Sequence, residues 1–158
     1  MPRDRITVIK NRRWTNWHES VGGKVARQVV IVNPSPARAT IDSYNVTTGE
    51  LQQLLRQAID RGWTLRALGG GWSFSPVAQT DGMLIDTRFL NHQFRLQDHH
   101  VHADCPTAAA DLHLAQCGTG IAELNLVLGR EGKSLQTTGA SNGQTIAGAI
   151  ATGTHGSA

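Results

Sequence analysis

Three things are scarce in this 158-residue chain, and each scarcity closes off a class of protein. There are two cysteines, Cys105 and Cys117, which make neither a C-x-x-C pair nor a dense disulfide framework, so two reduced thiols in a cytosolic protein are expected. Long apolar runs are missing. Nowhere do about 18 uninterrupted apolar residues occur, and the opening MPRDRITVIKNRR has no apolar core of signal-peptide length, so the expectation is a soluble cytoplasmic chain without a membrane partner. Charge is thin as well, at 17% of residues with a net +3. Five of the 15 Lys and Arg residues (Arg3, Arg5, Lys10, Arg12, Arg13) stand near the start, interrupted by Asp4 and by apolar positions. That pattern reads as a solvated basic arm, and no nucleic-acid partner is expected.

What abounds is glycine. The 17 glycines lie well above the usual share of about 7% and fall in clusters, in a chain whose 39% hydrophobic content suits one ordinary globular domain.

The elements read as mixed β and α. Residues 1–28 are expected to form an irregular arm, pinned to the body by Trp14 and Trp17. The β-branched run Val29, Val30, Ile31, Val32 predicts a strand halted by Asn33-Pro34 and Pro36. Thr47-Thr48-Gly49-Glu50 has capping-box spacing, and Leu51, Leu54, Leu55, Ala58 and Ile59 then repeat at helical intervals up to Gly62. WTLRAL and GMLIDT predict two further strands, and FRLQDHHVHADC a hairpin turning near Asp98-His99. LHLAQCG predicts another strand, and GIAELNLVLGREG a second amphipathic helix ending at Gly132. His92, His99, His100, His102 and His113 are dense, but no acidic or cysteine ligand falls at zinc-finger spacing; they are expected to be surface hairpin residues, with no metal.

Within this order LRALGGGWSFSP places three glycines at the carboxyl end of a strand, where α/β proteins tend to bind ligands. The stretch is not a Walker loop, because it contains no lysine, and it fails G-x-G-x-x-G at Phe74. The remaining chemistry is an amide nest for an anion, built by Gly69, Gly70 and Gly71 with hydroxyl donors from Ser73 and Ser75. A second cluster, LQTTGASNGQTIAGAIATGTHGSA, carries Gly139, Gly143, Gly148, Gly153 and Gly156 among hydroxyl and amide side chains. A short helix starting near Thr145 would point free N–H groups outward. Two such segments in one small domain suggest one long ligand.

In combination, LRALGGGWSFSP, DGMLIDT, CGTGIAELN and TTGASNGQTIAGAIATGTHGSA resemble the FAD-linked oxidases of the vanillyl-alcohol-oxidase type, and within them the sugar, aldonolactone and alditol oxidase branch. The resemblance runs from about Val29 to the last residue. It implies an α+β fold: the N-terminal part of a PCMH-type FAD-binding domain over 29–158, a mixed sheet with flanking helices and two glycine-rich ligand loops. It further implies that Leu68, Gly69, Gly70, Gly71, Trp72, Ser73 and Phe74 wrap the FAD diphosphate. Thr138, Gly139, Ala140, Ser141, Thr145, Gly148, Thr152, His155 and Gly156 would then approach the flavin and its ribityl-phosphate chain, mostly through backbone, with His155 shaping its loop.

Two departures qualify what the resemblance implies. Where relatives with covalent flavin carry a histidine, this chain has Trp72, whose indole nitrogen is not a comparable nucleophile, so FAD is expected to be held non-covalently. The family's domain also continues with further strands and a substrate domain. The chain is therefore expected to be the front part of an oxidase, with the small-molecule substrate site and the catalytic base elsewhere, and to self-associate through the exposed surface of its half-domain.

Overall fold

The computed structural model describes residues 5–34 and 39–157; Arg3 and Asp4 of the basic run, and Pro36, lie outside them. The chain begins with a hairpin and not with an irregular arm. β1 (Ile6–Thr15) runs antiparallel to β2 (Gly22–Ile31), in register from Ile6 opposite Ile31 to Thr15 opposite Gly22. The strand expected from Val29 is thus the end of a longer one. β1 escapes a pattern-based reading because it is an edge strand with almost no buried face: of its residues only Trp14 is buried, whereas Val25, Val29 and Ile31 of β2 are buried at alternate positions.

From β2 the chain enters α1 (Ile41–Asp60), then β3 (Leu65–Leu68) and β4 (Met83–Asp86). β4 pairs in parallel with both β2 and β3, giving the order β1-β2-β4-β3. All four β4 residues are buried, as expected of a central strand covered on both faces. One apolar cluster joins Val29, Ile31, Met83 and Ile85 to Leu54 of α1 and to Leu90; a second joins Trp14, Val25, Leu68 and Leu84. Burying one such aliphatic side chain contributes about 1.5–3 kcal/mol.

α1 starts seven residues before the capping box read in the sequence. Its cap is Thr40, whose hydroxyl accepts from the Ser43 N–H at 3.2 Å while the Ser43 hydroxyl accepts from the Thr40 N–H at 3.1 Å. Thr47 lies inside the helix, buried, with its hydroxyl donating to the Ser43 carbonyl at 3.0 Å. At the other end Gly62 and Trp63 donate to the carbonyls of Ile59 and Ala58, closing the helix where the sequence places its end.

The rest of the chain forms β5 (Gln93–Arg95), β6 (His113–Ala115), α2 (Ile121–Arg130) and α3 (Ile146–Ala151). β5 pairs with β6 and not with the residues just after it, because a 3₁₀ turn at Asp98–His100 intervenes. His92 is a buried histidine rather than a surface one. Its ring lies 3.1 Å from the Ser43 hydroxyl and 3.0 Å from the Pro34 carbonyl, and its N–H donates to Gln116, tying α1 to the β5–β6 layer. No group of three or more His, Cys, Asp and Glu suited to a metal occurs among the described residues, and no helix there is long and apolar enough to cross a membrane.

Candidate functional site

The end of β3 is fixed before the glycines begin. The Leu68 carbonyl accepts from both the backbone N–H and the hydroxyl of Thr87, at 2.9 and 3.0 Å, just beyond β4. There Asp86, fully buried, holds Arg88 through Nε at 2.9 Å and Nη2 at 2.6 Å. The carboxylate hydrogen bond raises the pKa of the half-exposed Arg88 guanidinium, against the opposing effect of burial.

Gly69, Gly70 and Gly71 do different jobs. A Cβ on Gly69 would collide with the Thr145 hydroxyl, and one on Gly70 with the Gly143 carbonyl, so these two residues are small because the second glycine segment passes directly against them. Only Gly71 adopts a left-handed conformation, at φ +70°, which costs another residue about 1–2 kcal/mol. The nest therefore needs one unusual backbone angle and two close approaches.

The second segment is anchored to the start of α2. Ile121 and Ala122 donate to the carbonyls of Gln144 and Asn142, and Ile146 donates to Thr119. Thr145 precedes α3 as its N-cap residue, buried. The expectation of free N–H groups at this helix start is corrected in part: the Ile146 and Ala147 amides donate to Thr119 and Cys117.

The tip of the β1–β2 hairpin supplies a third wall. The Trp17 N–H donates to the Gly71 carbonyl at 2.8 Å, and Asn16 Nδ2 to the Ser73 carbonyl at 3.0 Å. Trp17 stacks on Trp72 at 5.5 Å and 9°, and His18 on Phe74 at 4.0 Å and 17°. The Trp72 indole also packs against Gly143, where a Cβ would overlap it.

These walls enclose a cavity of about 520 Å³, a size usual for small-molecule sites. Along one side the amides of Gly69, Gly70, Gly71, Trp72 and Ser73 donate to no protein group among the described residues. A row of backbone donors without protein partners beside a cavity fits an anionic ligand. Among the described residues, Arg66 is the one charged residue in the lining, and Trp14 Nε1 and Gln144 Oε1, also of lining residues, are buried without a partner. Cys117 lines the cavity too, and burial pushes its thiol pKa up.

Of the residues expected at the ligand, Leu68, Gly69, Gly70, Gly71, Trp72, Ser73, Thr145, Gly148 and Thr152 line this cavity together. Phe74, Thr138, Gly139, Ala140, Ser141, His155 and Gly156 do not. Phe74 turns to His18, and the exposed His155 ring lies 2.7 Å from the Gly156 carbonyl. Sequence reasoning missed Asn16, Arg66 and Gln144. Asn16 lay in a segment read as irregular, whereas Arg66, within WTLRAL, was available as the residue two positions before Leu68.

A family model described as FAD binding domain matches residues 44–158. The chain is 40% identical over 129 residues to a long-chain alcohol oxidase from an uncultured marine euryarchaeote, covering 80% of this chain and 23% of the relative. It is 33% identical over 143 residues to L-gulono-1,4-lactone dehydrogenase of Mycobacterium tuberculosis, covering 90% and 28%. With D-arabinono-1,4-lactone oxidase of Candida albicans it shares 36% identity over 114 residues, covering 68% and 20%. Among solved structures, cholesterol oxidase from B. sterolicum superimposes with a TM-score of 0.65 at 20% identity, covering 100% of this chain and 26% of that one, a likeness of fold. The chain thus spans about a quarter of the length of these relatives. The match over residues 44–158 shows that the chain belongs to the FAD-binding domain family, with FAD as the cofactor that this membership assigns.

Proposed function

We propose that this chain is the FAD-binding portion of a flavin-dependent oxidoreductase that oxidises a CH–OH group of a sugar, lactone or alditol. The observation that carries the reading is the row of unpartnered amides at residues 69–73, in residues that line a cavity together with the small residues Ala147, Gly148 and Ala151. These amides would hold the diphosphate; Thr145, Gly148 and Thr152 would lie along the rest of the cofactor. Residues 138–141, 155 and 156 would meet only parts of it that extend beyond the cavity. A hydrogen bond to a charged group contributes about 1.5–3 kcal/mol, so three or four such bonds supply roughly 6–10 kcal/mol gross, and micromolar binding needs about 8. When bound, FAD supplies the acceptor for the hydride removed from the substrate carbon, and the protein's share is binding, orientation and exclusion of water.

Attachment is non-covalent in this reading. The Trp72 indole is already engaged with Trp17 and Gly143, and its nitrogen is a poor nucleophile. Acid or denaturant is expected to release all flavin into the supernatant; a fluorescent band after denaturing electrophoresis overturns this. The test of the main reading is titration with FAD, followed by turnover assays with aldonolactones, alditols and long-chain alcohols. A second reading, a flavin-binding module that turns nothing over by itself, is favoured by the quarter-length coverage of the relatives. Flavin binding without turnover selects it.

A further inference from the structure

We infer that Asn16, at the tip of the β1–β2 hairpin, is a positioning residue for the diphosphate site: it holds the glycine loop in the shape that leaves its amides free. The inference rests on the FAD reading above. Asn16 is only 5% exposed although its neighbour Trp17 is 66% exposed, so the hairpin tip turns its polar side chain inward and its large ring outward. Both ends of the carboxamide are used. Nδ2 donates to the Ser73 carbonyl and to the Ser20 hydroxyl, each at 3.0 Å, and Oδ1 accepts from the Val21 N–H at 3.1 Å. The Asn16 N–H also donates to the Val21 carbonyl at 2.8 Å, so the side chain reaches the loop from a base fixed on its own hairpin.

The consequence for the loop follows from the planarity of the peptide. In a trans peptide the C=O of one residue and the N–H of the next point in opposite directions. The Gly71 carbonyl is turned to the Trp17 N–H and the Ser73 carbonyl to Asn16 Nδ2, so the N–H groups of Trp72 and Phe74 are turned away from the hairpin. Of these, the Trp72 amide belongs to the row beside the cavity, while the bond from Asn16 fixes the backbone at Ser73, where that row ends. The ring stacks of Trp17 on Trp72 and His18 on Phe74 hold the same two segments together, but only the carboxamide and the Trp17 amide fix which way the peptide planes face. No other side chain of this size has a donor and an acceptor so placed: aspartate keeps the acceptor and loses the donor to Ser73, and alanine loses both.

The experiment titrates the 158-residue chain and its Asn16→Asp, Asn16→Ala and Ser20→Ala variants with FAD and, separately, with ADP, which carries a diphosphate and no flavin. Amide hydrogen exchange is followed in the unliganded proteins. Both Asn16 variants are expected to raise the Kd for FAD and for ADP at least tenfold and by similar factors. Exchange is expected to quicken at the Trp17 amide, which donates to the Gly71 carbonyl, while β2 and β4 stay protected. Ser20→Ala removes only a contact internal to the hairpin and should stay within twofold. Asn16→Asp keeps the hairpin's own Val21 bond and so decides the matter if the alanine variant fails to fold. Wild-type affinity in Asn16→Asp, or protection lost throughout β2 and β4 as much as at Trp17, overturns the inference and leaves the FAD reading standing. A wild-type chain that takes neither FAD nor ADP overturns the reading itself, and the inference with it.

Discussion

The glycine loop after β3 and the glycine-rich segment after α2 are alike in composition, yet they are held differently. The first is fixed on three sides, by Thr87 at the end of β4, by the hairpin tip at Asn16 and Trp17, and by the second segment at Gly143 and Thr145. The second is tied to the rest of the protein through residues 142–147, which bond to residues 117–122; beyond α3 its backbone is exposed, with Gly153 at φ +62°, His155 exposed, and the Gly156 N–H returning to the Thr137 hydroxyl of the same segment. Composition announces that backbone comes close to something at both places. It does not say whether that something is ligand or protein, and at Gly69 and Gly70 it is protein.

The largest effect that separates the two segments is expected from Gly70→Val. Its Cβ would meet the Gly143 carbonyl, a backbone atom with no rotamer to escape into, so the two segments must part. Overpacking of this kind costs about 1–3 kcal/mol in stability. Because the parting also widens the cavity wall, the FAD Kd should rise by a further factor, on the order of a hundredfold in all, measured by flavin titration beside thermal unfolding. A variant that keeps both wild-type affinity and melting temperature would mean that the contact between the segments is unimportant.

Gly71→Ala and Gly153→Ala form a sharper pair. Both residues have positive φ, +70° and +62°, and an added Cβ meets nothing closer than 3.6 Å at the first and nothing within 4 Å at the second. Strain of about 1–2 kcal/mol is therefore expected at each. If the loop after β3 is the diphosphate site, only Gly71→Ala should weaken FAD, by about tenfold, while Gly153→Ala lowers the melting temperature and stays within twofold. Equal losses in affinity would erase the distinction between the segments.

The same contrast explains what the sequence could tell. The core of β2 and β4, the helical repeat from Leu51 and both glycine segments are local signals; the structure has strands at the first two places, α1 at the third, a loop after β3 at the first glycine segment and α3 within the second. What escaped depends on non-local contact. β1 has a single buried residue and exists because it pairs with β2; Thr40 caps α1 through Ser43 because the helix extends over Asn33 and His92, where Thr47 and Ser43 meet a buried polar network. Asn16 acquires its role from a carbonyl 57 residues away. The close backbone approach at Gly69 and Gly70 was legible from the residues alone, because the second segment packs directly against them. Gly148 and Thr152 rest on the resemblance as much as Thr138 and His155 do; the first two line the cavity, and the last two lie on the exposed part of the segment.

His155 gives the next smaller test. Its ring is exposed and contacts the carbonyl of Gly156 from outside the cavity lining. His155→Ala should change the FAD Kd by less than threefold and leave stability within about 0.5 kcal/mol, as for other surface substitutions. A tenfold loss of affinity would extend the site beyond the cavity walls and bring the two ends of the second segment onto equal footing.

The smallest effect belongs to Cys117, a residue of the cavity lining that also packs against the cluster of Val29, Ile31 and Leu90, its carbonyl accepting from Ala147 of the second segment. Burial outweighs the backbone hydrogen bonds and raises its pKa above that of an ordinary thiol. The sign is that of a group whose proton is held more tightly in the folded state. Its contribution to stability is full below the unfolded thiol pKa, about 8.5, and is lost as pH rises through the higher folded value. The stability difference between wild type and Cys117→Ala should therefore be constant from pH 6 to 8 and shift against wild type above about pH 9. The thiolate is the reactive form, so alkylation of Cys117 by iodoacetamide at pH 8 should be slower than that of an unhindered peptide thiol. FAD should slow it further by covering the cavity while leaving Cys105, outside the lining, at its unliganded rate. Protection of Cys105 to the same degree would show that FAD acts by tightening the whole fold rather than by filling the space between the two glycine segments.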